Sequence, residues 1–393
     1  MNIKHDQNNH GLRRALGAMA VMTSLAAVPA SAQVPADIEA GLIKIGQIVD
    51  PACTAKLYRP MMPANDITST VTPIYPGITI ERDVSFGPNP KDVVDIFTAD
   101  KGAANRPVLI YVPGGAGNKI ELQVREANAF YDNIGRWATK NGMVFVNMQR
   151  HPGVNWDDPA KDASAMIQWV QANIGKYKGN PERMFAWAQS AGNGPLGTYV
   201  GRPELYGPKG VGLKGVIFMS GQFNILPVQV VGFPGGPGGR GPGGPPPAPG
   251  ASGTPGSTCG GAGPNGSSDG ALPGRTVGQP GGPNEPQAGG RGGPGGRGPA
   301  VPPEEQLRRS TLPAYKTTKV KIMLATAELD PGIEGKMSAF NLAFHGELCK
   351  EGPDHCPTML FEKGESHMSE VFSIDTPDTT VSGPILAWIK KIK

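Results

Sequence analysis

Short β-rich runs alternate along this chain with stretches of helical period, and that alternation constrains the architecture more firmly than any single motif does. The run Val108-Leu109-Ile110-Tyr111-Val112 is apolar or aromatic at every position, as expected of a strand covered on both faces. Similar runs recur at 143–147, 184–188, 215–219, 321–325 and 358–361. A helical stretch fills the space from the glycines after Val112 to about Asn141. Another spans 163–177, with Ala163, Met166, Ile167, Val170 and Ile174 at helical spacing, and a last helix covers 380–391. Two earlier runs, 79–84 and 93–97, read as antiparallel strands. The expected architecture is α/β, a mostly parallel sheet with helices on both faces.

That pattern breaks once. Residues 232–303 carry much of the chain's 57 glycines and 41 prolines and almost nothing that can enter a core. Glycine maximises the entropy lost on ordering and proline removes a donor, so a disordered insertion is expected there. Glycine does not recur at every third position, which excludes a collagen helix. The remaining residues suit one large domain in two pieces, 33–231 and 304–393.

The first 32 residues have the form of an export leader. Arg13-Arg14 is followed by the apolar run from Ala15 to Met22, and Ala30-Ser31-Ala32 precedes Gln33. The mature chain is expected to be exported, periplasmic or secreted, with no membrane span. The formal charge of +4 draws on Lys4, Arg13 and Arg14 in that leader, so the mature chain is near neutral and nucleic acid is not an expected partner. Four cysteines in an exported chain suggest disulfides. Cys349 and Cys356 bracket a short polar turn and are the expected local bridge, which would contribute ~2–3 kcal/mol. A metal site from Cys349, His355 and Cys356 lacks a fourth ligand, so no metal is expected. Cys53 and Cys259 can pair or remain free.

The motif that carries chemistry is Ala188-Gln189-Ser190-Ala191-Gly192, between a strand and a helix. A nucleophile elbow holds its serine in a strained turn and needs small residues two before and two after it, here Ala188 and Gly192. Upstream, Pro113-Gly114-Gly115-Ala116-Gly117 follows a buried strand. In such an arrangement, an N–H from Gly115 or Ala116 and that of Ala191 would form an oxyanion hole. A phosphate loop is excluded because Asn118-Lys119-Ile120 lacks the Lys-Ser/Thr pair.

Of six histidines, His5 and His10 lie in the leader, His151 follows an early strand, His345 is mid-helix, and His355 sits between cysteines. His367 alone falls in a loop between the final strand and the terminal helix, where a general base is presented. The orienting acid should follow the 321–325 strand, where Glu328 and Asp330 both stand, and Asp330 is preferred because it precedes a helix start.

At these residues the chain resembles the α/β-hydrolase superfamily, and more narrowly the bacterial carboxylesterases related to bifunctional feruloyl and acetyl-xylan esterases and kynurenine formamidase-like proteins. The likeness is best over Asp162 to Gly194 and at Ser366-His367-Met368-Ser369. It implies carboxylic ester hydrolysis with no cofactor, on a small-molecule or polysaccharide-linked ester. It leaves open an amide or formamide substrate and an inactive fold used for binding. One departure stands out: those families carry His-Gly-Gly, whereas Pro113 stands here in place of the histidine. Proline has no donor, so the oxyanion loop needs another support.

Overall fold

A computed structural model of the protein describes residues 33–63, 75–115, 119, 129–150, 158–221, 223, 310–331 and 337–393. The expected leader 1–32, the expected insertion 232–303, Ala116, His151 and Cys259 lie outside the described residues. Helices α1 (Ala36–Ile45) and α2 (Pro51–Tyr58) precede the sheet. The second has a readable start, since Asp50 Oδ1 accepts from Cys53 N at 2.9 Å and Pro51 occupies the first helical position.

The sheet begins with β1 (Ile78–Ser85), β2 (Val93–Ala99) and β3 (Arg106–Val112). Helix α3 (Asp132–Lys140) then leads to β4 (Val144–Met148), and α4 (Asp158–Asn173) to β5 (Gly179–Gln189). After these come α5 (Asn193–Val200), β6 (Gly215–Met219), α6 (Leu312–Thr317), β7 (Lys321–Leu329), α7 (Met337–Cys349), β8 (Thr358–Ser366), the single turn α8 (Ser369–Phe372) and α9 (Ser382–Lys391). The eight strands lie in the order β1-β2-β4-β3-β5-β6-β7-β8. The β1–β2 and β2–β4 pairs are antiparallel, and every later pair is parallel.

Burial explains why the central strands read as unbroken apolar runs. Every residue from Val108 to Val112 is fully buried. Leu109 and Tyr111 face one layer with Ile134, Trp137 and Ala138 of α3, while Val108, Ile110 and Val112 face the other with Ala163, Met166, Ile167 and Val170 of α4. Each fully buried large side chain of this kind contributes roughly 1.5–3 kcal/mol.

Two boundaries differ from expectation. Helix α4 ends at Asn173 and gives way to a 3-10 turn, Ile174–Tyr177, which closes on Lys178 in the left-handed region at φ 64°. Strand β5 starts at Gly179, ahead of the expected run 184–188, with 180–183 as its irregular beginning. Arg106 pairs with Gly179 before the register shifts, and Asn180 Oδ1 accepts from Glu182 N at 2.8 Å.

Cys349 and Cys356 form a disulfide, as their spacing suggested. The histidine beside it is His345, one helical turn before Cys349 and 3.5 Å from its sulfur, and not His355. Sulfurs joined in a disulfide present no thiolate to a metal. Cys53 is buried and disulfide-bonded. Among the described residues no helix is long and apolar enough to cross a membrane.

Candidate active site

Strand β5 ends at Gln189, and the chain then turns through Ser190–Gly192 into α5. Ser190 has φ 52°, a left-handed conformation that costs a non-glycine residue roughly 1–3 kcal/mol and that the surroundings must enforce. Crowding supplies the enforcement. A Cβ on Gly192 would lie 2.2 Å from Val112 O and 2.8 Å from Pro113 O, and a Cβ on Gly114 would lie 2.3 Å from Gln189 Oε1 and 2.8 Å from Ser190 Cβ. The two loops therefore cross at backbone contact. Asn193 fastens the far side, donating from Nδ2 to Ser190 O at 2.9 Å and to Met219 O at 2.7 Å.

His367 lies just past β8 with its ring buried. Its Nε2 is 2.8 Å from Ser190 Oγ, and its Nδ1 is 2.7 Å from Asp330 Oδ1. Asp330, just past β7, is fully buried. Burial by itself lowers the pKa of His367, but the bond to Asp330 and the charges of Glu370 and Asp330 outweigh it, and the net shift is upward. The structure also separates the two acid candidates. Glu328 faces β8, where its Oε2 accepts from Gly364 N at 2.7 Å. Asp330 alone of the pair meets the histidine.

Of the expected oxyanion donors, Gly115 is exposed with φ 59°, Ala191 is exposed in the turn after the nucleophile, and Ala116 lies outside the described residues. The support that Pro113 cannot give comes from Arg150, just beyond β4. Its guanidinium donates from Nε to Pro113 O at 3.3 Å and from a terminal nitrogen to Gly115 O at 2.8 Å, which turns both carbonyls toward Arg150. Burial pulls Arg150 below its ordinary pKa, against the opposing influence of Tyr131 and Asp162. Farther along the same segment, Lys119 is buried, with Nζ 2.7 Å from Asp83 Oδ1 and 2.8 Å from Asp95 Oδ1.

Sequence reasoning missed Arg150, and it missed Gln189 and Glu370 behind the histidine. A signal existed for the first: a charged residue at the carboxyl end of a buried strand stands where open α/β sheets build their sites. Gln189 occupies the variable position before the nucleophile, and Glu370 follows His367 by one turn. Nothing in the sequence tells that their side chains meet.

A mostly parallel sheet whose β5 ends in a strained serine, with an acid past β7 and a histidine past β8, has the architecture of the α/β-hydrolase fold. Residues 94–202 match the BD-FAE family, a span that covers Ser190 but neither Asp330 nor His367. A probable isoprenylcysteine alpha-carbonyl methylesterase of Arabidopsis thaliana is 25% identical over 115 residues, which are 29% of this chain and 23% of that protein. Esterase LipQ of Mycobacterium tuberculosis is 31% identical over 114 residues, 28% of this chain and 26% of that protein. The chain thus spans about a quarter of the length of these curated relatives. Over that part of its length the chain is similar to carboxylesterases. Among solved structures, a bacterial heroin esterase is similar at 16% identity and TM-score 0.49, over 91% of this chain and 97% of that one. Thermogutta terrifontis esterase 2 is similar at 14% identity and TM-score 0.46, over 80% and 93%.

Proposed function

We propose that this protein is an exported serine hydrolase that cleaves carboxylic esters through an acyl-enzyme. The observation that carries the reading is the continuous line from Ser190 Oγ through both nitrogens of His367 to Asp330. In that arrangement His367 Nε2 takes the hydroxyl proton as Ser190 Oγ attacks the acyl carbon. Asp330 holds the proton on Nδ1 and stabilises the imidazolium. The tetrahedral oxyanion is met by the N–H of Gly115 or Ala116 and that of Ala191, each such donor being worth ~3–4 kcal/mol in the transition state. Collapse expels the alcohol, which takes its proton from the imidazolium, and water repeats the sequence to release the acid. These steps call on no cofactor or metal. The substrate is a small-molecule or polysaccharide-linked ester.

The test is turnover of p-nitrophenyl acetate by the mature chain, wild type against Ser190→Ala. Wild-type turnover is expected, with a loss of about 10⁴-fold or more in the variant and an unchanged melting temperature. Because the neutral imidazole is the working form and its pKa is raised, kcat/KM should climb with pH along a limb lying above the ordinary histidine range. Turnover that survives Ser190→Ala contradicts the reading, and a folded wild type without turnover on any ester of a broad panel points to a hydrolase fold used for binding.

A further inference from the structure

Behind the imidazole, on the side away from Ser190, lies a carboxyl that the mechanism above does not use. Glu370 sits on α8, three residues after His367, and is fully buried. Its Oε1 accepts from Gln189 Nε2 at 2.9 Å, and its Oε2 accepts from Ser220 Oγ at 2.6 Å. The Gln189 amide also donates to the backbone oxygen of His367 at 2.9 Å. Gln189 is the residue immediately before the nucleophile. Ser220 follows β6, where its N donates to Ala325 O at 3.0 Å and its Oγ accepts from Ala327 N at 3.4 Å on β7, the strand that leads to Asp330.

One carboxyl thus joins the elbow, the histidine and the neighbour of the acid-bearing strand. A helix of a single turn has little stability of its own, so α8 does not fix His367 unaided. Hydrogen-bond geometry between nucleophile and base must hold to a few tenths of an ångström for proton transfer.

We propose that Glu370 is a positioning residue, which acts through Gln189 and Ser220 to hold the backbone of His367 in register with Ser190. The inference rests on the esterase reading above. Burial pushes Glu370 up to about 8, against the opposing charge of His367, and its two oxygens are taken up by Gln189 Nε2 and Ser220 Oγ. Its charged and titratable neighbours are His367 on the same turn, Asp330 after β7, and Glu362 and Glu365 on β8. A glutamine at this position keeps the volume and the acceptor for Gln189 Nε2, and sets an amide beside Ser220 Oγ, where the hydroxyl must then accept in place of donating.

The experiment measures kcat and KM on p-nitrophenyl acetate, with kcat taken per site titrated by a fluorophosphonate, so that misfolded chains do not count. Glu370→Ala should lower kcat about 30- to 100-fold and move KM less than about twofold, and Glu370→Gln should recover to within about fivefold of wild type. Gln189→Met, which keeps the volume but removes the donor, should give the same kcat-only loss and serves in place of Glu370→Ala if that variant does not fold. Losses in the Glu370→Gln, Gln189→Met pair should fall short of additive. A kcat per titrated site that stays within about twofold of wild type in Glu370→Ala, or in Gln189→Met, overturns the proposal, as does a Glu370→Gln no better than Glu370→Ala. A wild type that is not phosphonylated at Ser190 overturns the esterase reading and this proposal with it. A wild type that is phosphonylated but indifferent to these changes overturns this proposal alone.

Discussion

Ser190 and His367 are held in place by two different kinds of force. On the elbow side, Ser190 is trapped by backbone crowding: Gly192 lies against Val112 O and Pro113 O, and Gly114 against Gln189 and Ser190, with no room for a single added carbon. On the base side, His367 is held by buried polar groups, with Asp330 at its Nδ1, Gln189 at its carbonyl and Glu370 behind both. Crowding is short-ranged and depends on residue size, so it leaves a local mark in sequence. A polar network depends on which elements meet and leaves none. The family match follows the same division, covering 94–202 with the elbow and stopping well before the acid and the base.

The contrast makes different demands of substitutions on the two sides. The largest effect is expected at Asp330→Asn, which keeps the shape but favours the wrong imidazole tautomer: kcat should fall about 10⁴-fold with little change in melting temperature. Glu328→Gln should stay within about threefold, because that carboxylate serves Gly364 N and not the histidine. Severe loss in Glu328→Gln would undo the assignment of the acid. Next comes Gly192→Ala, whose Cβ meets Val112 O at 2.2 Å. Here activity and melting temperature should fall together, since the elbow itself must shift. A Gly192→Ala protein of wild-type stability would show that crowding is not what holds Ser190.

Arg150 complicates the division, because it is a polar prop on the elbow side, standing where Pro113 provides no donor. Arg150→Met should lower kcat about 10²-fold through a misaligned oxyanion loop, with KM nearly constant. Initial rates at saturating and limiting ester decide it. A loss seen in KM alone would mean that Arg150 shapes substrate binding instead.

The architecture was legible because the strands buried on both faces are largely apolar, and helices between them keep their period. The sheet and its antiparallel start follow from that pattern, whereas Ser190, Asp330 and His367 were read from the elbow motif and from the loops that follow particular strands. Strand β5 extends five residues earlier than its apolar run because Gly179 to Arg183 are not apolar and pair only irregularly with β3. The acid was resolvable only as a preference between Glu328 and Asp330, two residues apart on the same strand end, until the bulge between Ala327 and Leu329 was visible. Arg150 and Glu370 were not legible as parts of the site, since a buried arginine bonded to carbonyls and a buried glutamate bonded to Gln189 look like surface charges in a one-dimensional string.

The smallest expected effect concerns stability and not rate. Burial, followed by the charges of Glu370 and Glu365, raises Glu362; burial and then the charge of Asp378 raise Glu365; burial raises Glu370 to about 8. Between the ordinary carboxyl range and about 8 the folded chain therefore binds more protons than the unfolded chain, and stability falls as pH rises across that window. Glu362→Gln removes one of these titrations. Its melting temperature should decline less steeply than that of wild type from pH 5 to pH 8, exceeding it at the upper end by about 2 °C or more. An equal or steeper decline would show that the base side is not under this proton-linked load.

The central claim is that Ser190, His367 and Asp330 act as one nucleophilic unit. Its most direct test is a fluorophosphonate applied to the folded mature wild type and to His367→Ala, with the adduct located by peptide mass mapping. A single adduct on Ser190 in wild type, formed at least about 10³-fold more slowly in His367→Ala, is the predicted result. An adduct on another serine, or equal labelling rates in the two proteins, would contradict it.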